Sequence, residues 1–161
     1  MIKTESILQD LLTAFRTIKT TNQYEAGKYY ESNIGDSFFD WSERPVPDEN
    51  RTEAILQDVS TDFDNVEQVS SYHQRIDLFN VLLYSANGDD SVTELRKYER
   101  DTFRCLGKHN PEFLNKYLDT AIKPISIEKG MKKADKTIAG SMIKFSITYT
   151  TEPFLIGETE Y

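Results

Sequence analysis

One cysteine and two histidines in 161 residues leave little room for metal or thiol chemistry. A zinc site takes three or four ligands; Cys105 and His109, four residues apart, supply two. A lone cysteine cannot close an internal disulfide, which is compatible with a reducing compartment. Cys105 also falls on the apolar side of a helical pattern, which argues for packing rather than for an activated thiolate. His73, at the start of a strand, reads as an ordinary hydrogen-bonding histidine. No apolar run approaches the ~20 residues that span a bilayer, so no membrane is expected among the partners. The first ten residues, MIKTESILQD, include Glu5 and no long apolar stretch, unlike a signal peptide. The glycine-rich and histidine-rich signatures of nucleotide, dinucleotide, zinc-protease and serine-hydrolase sites are all missing. Gly88-Asp89-Asp90-Ser91 opens a helix, yet two adjacent carboxylates there would repel a phosphate. The expectation is a protein with no catalytic residue, no cofactor and no metal.

Positive charge is scarce in one place. Residues 34–70 carry Arg44 and Arg51 against ten acids, among them Asp36, Asp40, Glu43, Asp48 and Glu49. The rest of the chain is balanced, so the net charge of −8 resides in that stretch. Such a field repels nucleic acid and attracts basic partners; a solvated acidic loop would look the same.

What is present is one domain's worth of regular elements, 1–161, with a core expected over 4–151. Thr4 to Lys19 places Ile7, Leu8, Leu11, Leu12, Phe15 and Ile18 on one helical face. Ser6 and Gln9 fit a capping box, with Thr4 as the alternative cap. From residue 20 to 50 periodicity is lost, and Tyr24, Tyr29, Tyr30, Phe38, Phe39 and Trp41 precede Pro45 and Pro47. A long aromatic excursion is uncommon unless it contacts something. Tyr29, Tyr30, Phe38, Phe39 and Trp41 are therefore candidate interface residues, with an arm folded over its own domain as the alternative.

Residues 54–63 fit a helix or a strand; the extended lead-in and the content of Val, Thr and Phe favour a strand, with a turn at Asp64-Asn65. Val69 to Ala86 reads as a strand that becomes apolar on both faces, hence central. Ser91-x-x-Glu94 predicts a capped helix to Leu106, ended by Gly107. Asn110-Pro111 predicts a second, short helix to Leu118, with Asn110 as its N-cap. Ile125 to Ile127 is a short strand, Gly130 a turn, and MKKADK a basic loop that could meet an acidic neighbour or simply be solvated. Ile138 to Thr151 alternates with period 2 and predicts a strand with one face on a core. Residues 152–161 form a C-terminal arm whose Phe154, Leu155 and Ile156 are candidate interface residues, docked on a neighbour or folded back. The fold class is α+β: a mixed or antiparallel sheet with two main helices on one face, plus the excursion and the arm.

This order, with RIDLFNVLLY (Arg75 to Tyr84), the capped helix at Ser91 and the IKFSITYTT ending, resembles the tail-terminator and tail-completion proteins of long-tailed bacteriophages. The resemblance covers about residues 4–151 and is one of element order and strand texture. It implies a structural virion protein at the head–tail junction, assembled in the host cytoplasm. Its copies would form a ring, a hexamer, that ends polymerisation of the tail-tube protein and meets the head-completion proteins of the neck. DNA would only pass through the lumen, and Asp36, Asp40, Glu43, Asp48 and Glu49 are the candidate lumen-facing acids. An acidic inhibitor that mimics DNA and binds a basic nucleic-acid enzyme is the alternative.

Overall fold

The computed structural model describes residues 3–43, 51–64, 73–132 and 138–151. Helix α1 (Lys3–Phe15) is followed by a two-stranded hairpin, β1 (Gln23–Glu25) and β2 (Lys28–Tyr29). The main sheet contains β3 (Phe38–Asp40), β4 (Glu53–Asp64), β5 (His73–Ser85), β6 (Lys123–Lys132) and β7 (Ala139–Thr151), in the order β3-β4-β5-β7-β6. Helix α2 (Ser91–Lys116) connects β5 to β6. Only the β3–β4 pair is parallel, so the sheet is mixed. The fold is α+β, with both helices on the sheet.

The helix-or-strand ambiguity at 54–63 resolves as strand, because β4 pairs along its whole length with β5. β5 is the central strand of the five, as its two apolar faces require. Ala54, Leu56, Phe79, Val81, Leu83, Ile143, Phe145, Ile147 and Tyr149 share the face that meets Leu11 and Phe15 of α1 and Leu95, Cys105 and Leu106 of α2. Ring packing ties the layers. Phe15 stacks on Phe38 at 4.8 Å and meets Phe145 edge-on at 6.3 Å, while Phe79 stacks on Phe145 at 5.4 Å. Aromatic pairs at such distances add about 0.5–1.5 kcal/mol each beyond area burial.

Four local expectations are corrected. α1 stops at Phe15, because the Thr17 hydroxyl donates to Ala14 O and the chain tightens there; Ile18 remains fully buried. Neither capping box forms. Gln9 donates to Glu5, and Ser91 is a buried helical residue whose oxygen accepts the Asn87 N–H at 2.8 Å. Gly107 and Pro111 do not divide α2, since its buried side continues from Leu95 through Leu106 to Phe113 and packing outweighs the lost hydrogen bond. Asn110, freed from capping, accepts the Ile122 N–H at 2.9 Å. β6 is ten residues long rather than three. It carries Pro124 and Gly130 through register shifts, which an edge strand tolerates.

Part of the aromatic excursion is core. Tyr30, Ile34 and Phe38 are each 2% exposed. Two contacts hold it. Gly35 donates its N–H to Ile18 O at 3.0 Å, and a Cβ on it would sit 2.7 Å from that oxygen, so only glycine fits the approach. Asp101 of α2, fully buried, accepts the Ser32 N–H at 2.8 Å, the Ser32 hydroxyl at 2.6 Å and the Glu31 N–H at 3.0 Å. Gly35→Ala is expected to lower unfolding free energy by about 2–3 kcal/mol in urea titrations. Asp101→Ala is expected to cost about 3–5 kcal/mol and to open residues 23–43 to limited proteolysis while residues 91–116 stay protected.

Candidate functional site

Burial divides the candidate interface residues. Tyr30 and Phe38 are corrected to core positions, because the hydrophobic face of α1 and the Asp101 contact draw that loop inward. Phe39 is half-buried. Tyr29 and Trp41 remain 52% and 41% exposed. Phe154, Leu155 and Ile156 lie outside the described residues, as do Asp48, Glu49, Pro45, Pro47 and Asn65.

The acids do not form one bare field. Asp36 pairs with Lys19 at 3.3 Å, and Glu43 pairs with Arg16 at 3.5 Å while accepting the Asp40 N–H. Glu53 is buried, and Asp40 is half-buried and accepts the Ser42 hydroxyl. Asp58 accepts the Trp41 indole N–H at 3.0 Å. What remains open to solvent is the far half of β4, with Asp58 and Asp62 exposed.

Two clefts bring polar groups together. One, about 170 Å³, lies between α1 and the end of α2 and is lined by Asp10, Thr13, His109, Glu112, Lys116 and Tyr117. Asp10 is occupied there by Lys116 at 3.2 Å and by the Tyr117 hydroxyl. Burial lowers the His109 pKa, favouring the neutral ring. The second cleft, about 230 Å³, lies between the start of α1 and β4. At its base Arg75 donates to Asp77 at 2.8 Å and to Thr61, Thr61 donates to Asp77, and the Tyr149 hydroxyl donates to Asp77 at 2.7 Å. Every group in that set holds another, and burial pushes the Tyr149 phenol up. Both arrangements brace the helices against the sheet. Cys105 is packed, with its thiol donating to Ala14 O at 3.2 Å and its pKa pushed up to about 12 by burial. Among the described residues no group of three or more His, Cys, Asp or Glu could hold a metal ion, and no helix is long and apolar enough to cross a membrane.

The surface that sequence reasoning missed is the pair of sheet edges. Seven large hydrophobic side chains are exposed among the described residues, and five of them, Trp41, Val59, Phe63, Ile125 and Ile127, lie along the two edges. Strand alternation placed Val59 and Phe63 on one side of a strand and Ile125 and Ile127 in another, without an outward or inward assignment. It could not say which strands would lack a neighbour. No protein-family model matches the chain, and no curated protein is significantly similar to it.

One surface cluster has a pH signature. Glu31 accepts from Arg100 at 2.7 and 2.9 Å and from Arg104 at 2.7 Å. These bonds, Arg100's first, lower its pKa from 4.5 to about 2. The folded value is depressed, so the stabilisation is complete above pH 4.5 and is lost as pH falls toward about 2. Glu31→Gln is expected to lower the melting temperature at pH 7. The gap to the parent should narrow between pH 4.5 and about 2 in melting curves.

Proposed function

We propose that this chain is a structural subunit of a ring at the head–tail junction of a long-tailed bacteriophage, ending growth of the tail tube and meeting the head-completion proteins. The observation that carries the reading is the architecture itself. Two helices cover one face of an open mixed sheet, an arrangement that supports the resemblance to the tail-terminator family, and the exposed apolar side chains concentrate at the edges of that sheet. The mechanism is geometric. Each subunit seats on a tube subunit below and offers no equivalent site above. A closed ring needs two different complementary patches on every copy. Tyr29 and Trp41 are the described members of the original interface set that remain available for contact. Asp36, Glu43 and the half-buried Asp40 are the lumen-facing acids in this reading, a negative wall to which DNA does not adhere.

The inhibitor alternative gains less support. A DNA mimic needs a row of free carboxylates, and here Asp36, Glu43 and Asp58 have partners while Glu53 is buried. The reading is tested by adding purified chain to a polymerising tail-tube protein of a long-tailed phage. Electron microscopy should then show shortened tubes with a ring at one end. Tubes of unchanged length and bare at both ends would overturn it.

A further inference from the structure

The two edges of the main sheet carry opposite charge and matching apolar side chains, and we propose that they bind each other between copies, head to tail. At one edge β3 covers only Ala54 to Leu56 of β4, so Gln57 to Asp64 borders no further strand among the described residues. Along that stretch Asp58 and Asp62 are exposed carboxylates, and β4 contains no basic residue. Val59 and Phe63 are each 45% exposed along it, and Trp41 lies beside Asp58. At the other edge β6 exposes Lys123 and Lys129, the latter also paired with Glu99 of α2 at 3.2 Å, beside Glu128, which Lys144 holds at 3.3 Å. Ile125 and Ile127 are 51% and 37% exposed there. A groove of about 390 Å³ between β6 and α2 adds Phe103 to this apolar floor and Arg96 to the basic rim, while in its lining Arg100 is held by Glu31 and Glu99 by Lys129.

Charge decides the geometry. Two acidic edges face to face would repel, as would two basic ones, so a two-fold dimer through either edge is disfavoured. An acidic edge against a basic edge is attractive and leaves one free edge of each kind on the pair, ready for further copies. The contact runs through side chains and not by strand addition. Both edges are bulged, between Asp58 and Ser60 on one side and at Pro124/Ser126 and Lys129/Met131 on the other, and Pro124 has no N–H to donate. Bulges, proline and lysine are the features that stop main-chain pairing at sheet edges. This inference deepens the ring reading, and rests on it only for closure of the chain of copies into a ring.

Asp62 and Lys123 are both exposed, one on each edge, and serve as the test positions. In sedimentation velocity the parent chain should gain mass with concentration and lose it with added salt. Asp62→Lys and Lys123→Glu should each weaken self-association by roughly tenfold. Mixing the two variants should restore association, because one then has two basic edges and the other two acidic ones. Leu114→Ser, at an exposed position away from both edges, should change nothing, and circular dichroism melts establish that each variant is folded. A chain that stays monomeric at its solubility limit, or association indifferent to both charge reversals, would overturn the proposal. Self-association by the edges without any effect on tube length would instead sink the tail reading and leave this one standing.

Discussion

A single buried carboxylate sets the shape of the N-terminal third. Asp101 sits in the middle of α2 with no exposure to solvent, and such a group is costly unless its oxygens are filled. They are filled by the backbone of Glu31 and Ser32, by the Ser32 hydroxyl and by Arg104. Helix and loop therefore depend on each other. With the loop fixed there, Tyr30 and Ile34 fall into the core, Gly35 closes against the end of α1, and Phe38 reaches the ring of Phe15. β3 then starts in register beside β4. The one parallel pair in the sheet follows from where that loop is tied.

The same economy of partners is visible around Asp77. Its two oxygens receive Arg75, Thr61 and Tyr149, so β4, β5 and β7 are joined side chain to side chain at one end of the sheet. The aromatic stack of Phe79 on Phe145 joins β5 to β7 further along. The hydroxyls and carboxylate around Asp77 are thus engaged in bracing. The surface is left to exposed apolar and charged side chains, which suits the proposed role of a subunit positioned against other proteins.

Much of the fold was legible because periodicity is a local signal. β7 alternates, β5 is apolar on both sides, and the apolar side of α2 repeats at helical spacing; each was assigned on that basis. The misassignments share a cause. Gly107 and Pro111 are local signals for a break, but the buried side from Leu95 to Phe113 continues past them. Ser91 has the neighbours of a cap, but burial turns its oxygen toward Asn87. The aromatic excursion lacks periodicity because its residues are placed by Asp101, about 70 positions away, and no local pattern encodes such a partner.

The sequence by itself determined the α+β class, the central place of β5 and the scarcity of cysteine and histidine, since composition and strand alternation act on neighbouring residues. It also determined that negative charge gathers in residues 34–70. Only the tertiary structure decided which of those acids are neutralised, which aromatics are core, and which two strands end the sheet. Those outcomes depend on strand order, and strand order is fixed by contacts between residues far apart in the chain. Opposite charge on β4 and β6 is written in the sequence, but it becomes a pair of opposite sheet edges only because β5 and β7 lie between the two strands, β6 ends the sheet, and β3 covers no more of β4 than Ala54 to Leu56.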